Sequence, residues 1–249
     1  MKIVIPGGSG QVGNILAREF HKDGHEIVIL SRNPSDQLWR SVRWDGTTLE
    51  DWISELNGAD VVINLAGRSV DCRYNSKNRK EIMESRINST RVIGEAINQV
   101  EKPPHTWLQA STATIYAHRY DAPNDESTGI IGGNEIDAPK KWGYSIEVAK
   151  SWEKTLDDAI VPKTRKIILR SSLILSPDQG GIFDTLLRLV RYGLGGRAGD
   201  GKQYVSWVHD SDFVSAISWL IEHRELEGVV NITSPNPLPF SQFMKEMRS

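Results

Sequence analysis

Three glycines near the start of the chain have spacings that suit a phosphate cradle. Gly7, Gly10 and Gly13 form G-x-x-G-x-x-G, and Gly8, Gly10 and Gly13 also satisfy G-x-G-x-x-G. The spacing alone is a weak signal, and its context decides. The apolar run Lys2–Ile5 precedes it, and Gln11–Lys22 follows with Val12, Ile15, Leu16 and Phe20 at helical spacing. Each glycine then has a physical task. Gly7 allows a tight turn, Gly10 lets the backbone approach a pyrophosphate, and Gly13 lets helix and strand pack closely. The helix start adds free N–H groups and partial positive charge for the phosphates. Ser9, Gln11 and Val12 complete this loop and first turn. The second apolar run ends Ile29-Leu30-Ser31-Arg32, with no acid to bond a ribose 2′-hydroxyl. Arg32 can pair with a 2′-phosphate and Ser31 can donate to it, which favours NADP over NAD.

Such a cradle needs a scaffold of strands and helices. Apolar runs read as strands at Lys2–Ile5, Glu26–Leu30, Ser41–Trp44, Asp60–Ala66, His105–Thr112, Lys166–Ser171 and Gly228–Thr233. Helical patterns fall at Gln11–Lys22, Leu49–Leu56, Ser76–Val100, Trp142–Ile160, Phe183–Tyr192 and Asp210–His223. A loop rich in Asp, Asn, Gly and Pro fills Ala117–Lys141. The alternation predicts an α/β fold, a Rossmann-type doubly wound parallel sheet. The division expected is an NADP-binding Rossmann domain, 1–170 with 205–233, and a small C-terminal substrate cap, 171–204 with 234–249. Gly24 reads as a helix C-cap, and Asp210 or Ser211 as an N-cap. The chain stops at Met247-Arg248-Ser249, inside a helical pattern begun near Phe240, so the cap is expected to be either minimal or short of its natural tail.

Composition removes several classes. Acids number 32 and bases 30, a net charge of −2, so the basic excess of a nucleic-acid binder is absent. Cys72 is the single cysteine, which excludes an internal disulfide and a cysteine-rich zinc site. The six histidines show no metal-ligand spacing, and no metal is expected. No apolar run approaches the ~18 residues of a membrane helix, and the N-terminus lacks a signal-peptide core. A cytoplasmic protein is expected. No G-x-S-x-G elbow exists. Arg188, Arg191, Arg197 and Lys202 cluster in the expected cap, either to meet an anionic small-molecule substrate or as a solvated basic face.

The glycine loop, Asn64-Leu65-Ala66-Gly67 and Ser111-Thr112-Ala113-Thr114-Ile115-Tyr116 together resemble an extended short-chain dehydrogenase/reductase. Arg43-Trp44-Asp45, Ser85-Arg86-Ile87-Asn88-Ser89-Thr90-Arg91, Ser151-Trp152-Glu153, Gly199-Asp200-Gly201-Lys202-Gln203 and Ser206-Trp207-Val208-His209 narrow the resemblance to nucleoside-diphosphate-sugar epimerase family proteins. It implies a nucleotide-sugar substrate and a dinucleotide held by Gly7, Gly10, Gln11, Val12 and Gly13, with Leu65, Ala66 and Gly67 beneath it. It also allows a homodimer packed through the two long helices. Pro6 stands where relatives commonly have Thr.

The resemblance further implies a catalytic hydroxyl at Thr112, a proton-exchanging Tyr144, and Asn88 in support of the active-site helix and a proton path. The superfamily places a lysine four residues after the tyrosine, where this chain has Val148. Lys150 sits about 240° around a regular helix from Tyr144 and cannot replace it. Without a neighbouring cation a tyrosine keeps its ordinary pKa near 10 and exchanges protons poorly at neutral pH. Three readings stay open: an epimerase or oxidoreductase that uses Thr112 and Tyr144 with another group, one that uses other residues, or a catalytically quiet NADP-dependent sensor or partner-binding protein. Trp152 reads as core packing.

Overall fold

The computed structural model describes residues 1–35, 38–135 and 140–249. The stretch 136–139 of the expected Ala117–Lys141 loop lies outside the described residues. The strands are β1 (Lys2–Pro6), β2 (Glu26–Ser31), β3 (Arg40–Arg43), β4 (Val61–Asn64), β5 (Thr106–Ala110), β6 (Arg165–Ser171), β7 (Leu173–Leu175), β8 (Tyr204–Val205), β9 (Trp207–His209), β10 (Gly228–Ile232) and β11 (Leu238–Pro239). The helices are α1 (Gln11–Lys22), α2 (Ser76–Gln99), α3 (Lys140–Asp157), α4 (Ile182–Arg191), α5 (Asp210–Glu222) and α6 (Phe240–Glu246).

Seven strands form one sheet in the order β3-β2-β1-β4-β5-β6-β10, every neighbouring pair parallel. Successive strand residues point to opposite faces, and helices cover both. Ile3, Ile5, Ile29 and Ile63 pack with Leu16 and Phe20 of α1 and with Phe213, Ile217 and Leu220 of α5. Val4, Val28, Val62 and Trp107 pack on the other face with Val92, Ile93 and Ile97 of α2 and with Leu156 of α3. Double coverage explains why strands such as Val61-Val62-Ile63 carry no polar alternation. The sheet order reverses between β1 and β4, and a parallel sheet opens a ligand crevice at such a reversal.

All seven expected sheet strands exist, with ends shifted by up to two residues. Gly24, at φ +80°, follows α1 as a left-handed cap, and its N–H donates to the His21 carbonyl. Three details differ from expectation. Leu49–Leu56 contains a 3-10 helix, Asp51–Glu55. The N-cap of α5 is His209, whose Nδ1 accepts the Ser211 N–H, because β9 holds His209 extended and Asp210 already lies in the helix. The pairs β7–β9 and β8–β11 were not expected, since two- or three-residue strands leave no periodic signal. Beside β8 and β11, Val205, Phe243 and Met244 form a separate small apolar cluster with Leu175, Leu186 and Val190.

After β3 the chain turns at Asp45. Its carboxylate accepts the N–H and hydroxyl of both Thr47 and Thr48 at 2.7–2.9 Å. The turn leads from Trp44 to Trp52, whose rings meet at 5.5 Å. Burial pushes the Asp45 carboxyl up, but these four bonds outweigh it and hold the group well below the carboxylate value of 3.8. A depressed folded-state pKa stabilises the fold above the unfolded value, and the stabilisation fades as pH falls through the folded value. We therefore expect Asp45→Asn to melt below the wild type at pH 7. The gap should narrow as pH falls beneath 3.8, read by thermal melts followed by circular dichroism.

Candidate functional site

The crevice between β1 and β4 exists because two pieces of backbone nearly touch. Gly7 has φ +74°, and a Cβ there would fall 2.6 Å from the Ala66 Cα. A Cβ on Gly13 would fall 2.3 Å from the Gly8 Cα, so α1 packs directly on the loop. The expected helix–strand approach at Gly13 is thus a helix–loop approach. Gly10 differs: no atom lies within 4 Å of where its Cβ would stand. It is also the N-cap of α1 and offers no side chain to the first turn. The N–H groups of Gln11, Val12 and Gly13 open α1 beside it and have no intrahelical acceptor. Such a cradle fits a pyrophosphate.

The other expected cofactor residues surround it. Ser31 is buried at the end of β2, where its hydroxyl lies 3.1 Å from that of Ser9 and 3.3 Å from the Asn33 carbonyl. Arg32 is exposed and has no hydrogen bond or ion pair among the described residues. Arg43, of the motif Arg43-Trp44-Asp45 but not among the expected cofactor residues, ends β3 in register with Ser31. Leu65 and Val12 line an apolar cavity of about 150 Å³ with Ala110, Leu169, Ile174 and Phe213. The turn Leu65-Ala66 is fixed from below by fully buried Asn64, which accepts the Ala66 N–H at 3.0 Å and donates to Gln109 at 2.9 Å. Gln11 reaches the other way, donating to the Asp178 carbonyl at 2.7 Å, while Arg18 pairs with the Asp178 carboxylate at 2.9 Å.

The three expected catalytic side chains are not joined by any hydrogen bond among the described residues. Thr112 is half-buried, and its hydroxyl lies 3.0 Å from that of Thr114, whose N–H it also accepts. Tyr144 donates to the Arg79 carbonyl at 2.5 Å and meets the Tyr74 ring at 5.9 Å. Burial pushes its phenol above the ordinary value of 10, against the pull of Arg86 and Arg79. Asn88 is half-buried on α2 with no side-chain hydrogen bond among the described residues. Val148 is buried, and Lys150 points away, donating to the Gly132 carbonyl at 2.7 Å. Trp152 is buried and donates to Thr90 at 3.0 Å. Of the expected basic cluster, Arg197 borders a cavity of about 400 Å³ with Gly193, Gly195 and Ser241.

A buried ionic network adjoins Thr112. Glu153 of α3 accepts Ser111 at 2.5 Å and both ends of the Arg170 guanidinium, at 2.9 and 2.7 Å. Arg170 also donates to the Tyr116 hydroxyl at 3.0 Å, which donates to Asn231 of β10 at 2.9 Å. The Glu153 carboxylate holds the Arg170 pKa above its usual value. Sequence reasoning missed this network, although an arginine inside the apolar strand Arg165–Ser171 was a readable sign of a buried partner.

The model of the NAD dependent epimerase/dehydratase family matches residues 3–233. The chain belongs to that family. It is 30% identical to the epimerase family protein YfhF of Bacillus subtilis over 98% of this chain and 78% of that one. The crystal structure of human epimerase family protein SDR39U1 with NADPH superimposes with a TM-score of 0.83 at 26% identity, over 98% of this chain and 77% of the human one. The nucleoside-diphosphate sugar epimerase of Corynebacterium glutamicum gives 0.79 at 26% identity, over 99% of this chain and 49% of that one. In this NAD dependent epimerase/dehydratase family member, among the described residues, no helix is long and apolar enough to cross a membrane.

The network yields an energetic expectation. Removing one member of a buried ion pair strands the other charge and costs about 3–5 kcal/mol, whereas replacing both with apolar residues costs far less. Arg170→Met should therefore lower the urea midpoint sharply, and Arg170→Met with Glu153→Met should recover most of the loss.

Proposed function

We propose that this chain binds NADPH in the β1–β4 crevice and acts as an oxidoreductase or epimerase on a nucleotide sugar. The observation that carries the cofactor half is the open N–H cradle at Gly10, with Arg32 and Arg43 beside Ser31. When bound, NADPH supplies hydride exchange at its nicotinamide. The chain's own residues do the rest. The first turn of α1 takes the pyrophosphate. Arg32 and Arg43 take a 2′-phosphate, and Ser31 and Ser9 bound its pocket. Leu65, Ala66 and Gly67 make the floor. Thr112 holds the substrate oxygen and Tyr144 exchanges its proton, with Asn88 supporting the active-site helix. NADPH in the human relative supports the choice of cofactor, and the name of the Corynebacterium glutamicum relative supports the substrate class. Residues 171–204 and 234–249 serve as the substrate cap, and the cytoplasm is the proposed compartment.

One observation favours a second reading, a binding protein without turnover: the Tyr144 hydroxyl is held by a backbone carbonyl, and position 148 carries no cation. Turnover of NADPH across a panel of carbonyls and nucleotide sugars separates the two. A fluorescence titration with NADPH tests what they share, with saturable binding at micromolar cofactor expected. A flat titration would exclude both. Because a charge-assisted hydrogen bond contributes about 1.5–3 kcal/mol, Arg32→Ala or Arg43→Ala should weaken NADPH about tenfold or more and leave NADH unchanged.

A further inference from the structure

Arg86 is a half-buried guanidinium with no ion pair among the described residues. Its Nη1 donates to the carbonyls of Arg68 at 3.1 Å and Ile82 at 3.0 Å. Its face covers the Trp152 ring, with 5.0 Å from the guanidinium carbon to the ring centroid. The opposite edge, Nε and Nη2, has no hydrogen bond among the described residues. That edge lies against Gly67, where a Cβ would come within 3.0 Å of the guanidinium carbon. Burial pulls the Arg86 pKa below the usual arginine value, and the groups that oppose this are the phenols of Tyr144 and Tyr74. A charge drawn partly out of water without a counter-charge costs free energy, so its place in the fold matters.

That place is set by two contacts between α2 and α3. Tyr144 binds the Arg79 carbonyl, and Trp152 binds Thr90. Tyr144, Val148 and Trp152 are four residues apart and share one face of α3. Val148 therefore lies between these two contacts on that face of α3. Arg86 folds back along α2 and stops at the Ile82 carbonyl. Ile82 is three residues beyond Arg79, about 4.5 Å along the helix axis. The Tyr144 phenol and the Arg86 guanidinium thus rest on carbonyls one turn apart, and a lysine at position 148 would enter the same gap from the α3 side.

We propose that Arg86 supplies, from α2, the cation that Tyr144 lacks at position 148. Arg86 acts through Tyr144 and is a positioning residue; the proposal rests on the reading that Tyr144 exchanges a proton with bound substrate. The other groups facing Tyr144 are Arg79, whose guanidinium carbon is 5.1 Å from the ring centroid, Tyr74, and Glu147 of its own helix. Arg79 is exposed, so water and salt screen its charge, whereas Arg86 is half-buried and screened less. An arginine also differs in kind from the usual lysine. It stays charged throughout the range in which a phenol titrates, so Tyr144 faces a fixed charge.

The test is a pH titration of the full chain carrying ζ-13C tyrosine, with the Tyr144 resonance assigned by its loss in Tyr144→Phe. It needs neither cofactor nor substrate, so its outcome is independent of whether NADPH binds or turns over. The Tyr144 titration should move to higher pH in Arg86→Met and less in Arg79→Met. An unmoved Tyr144 in Arg86→Met, or an equal shift in Arg79→Met, would overturn the proposal. Arg86→Lys gives a second reading should the methionine variant not fold. Its ammonium loses a proton in the same range as the phenol, so the Tyr144 curve should broaden into a coupled transition. A single transition identical to the wild type would count against Arg86.

Discussion

Everything at the open edge of the sheet depends on a close approach of backbone to backbone. Gly7 against Ala66 and Gly13 against Gly8 leave no room for a side-chain carbon. With larger residues, β1 and β4 would part at their ends, the first turn of α1 would lift from the loop, and its N–H groups would no longer converge. The buried Asn64–Gln109 bond holds the other side of the same turn. Two kinds of constraint therefore meet at Leu65-Ala66: steric closeness from above and a directed hydrogen bond from below. A parallel sheet buried on both faces can tolerate Asn64 only because both ends of its amide find partners.

The two sides of the site are organised differently. Around the cradle, geometry is carried by backbone and by small residues, which suits the recognition of phosphate by N–H groups. Around Thr112 and Tyr144, it is carried by charged side chains. Glu153 and Arg170 join α3 to β6, Tyr116 extends the link to β10, and Arg86 ties α2 to the strand-end segment at Arg68. Glu153 and Arg170 are buried, so water screens them weakly, and Arg86 is half-buried.

The fold was legible because it rests on local signals. The β-branched runs, the helical spacing and the glycine punctuation each recur within a dozen residues, and they marked all seven sheet strands. The glycine loop was legible for the same reason, as its three glycines lie within seven residues and its ends are a strand and a helix. The short strands β7, β8, β9 and β11 were not, because partners such as Val205 and Leu238 find each other only in the folded chain. The ionic network escaped notice likewise: Ser111, Glu153 and Arg170 are far apart in sequence and meet through tertiary packing. Arg86 had a local sign, an arginine on the buried stripe of α2 that includes Ile82, Val92, Ile93 and Ile97. The N-cap at His209 was misread because a histidine ring caps a helix less often than the Asp and Ser that follow it.

The bond between Tyr116 and Asn231 spans 115 positions of the chain. During synthesis, β1, α1, β2 and β4 emerge early and can pair as soon as Ala66 has left the ribosome. That bond cannot form until Asn231 has been made and β10 has docked on β6. The glycine loop can thus take its shape before the network of Glu153, Arg170, Tyr116 and Asn231 is complete.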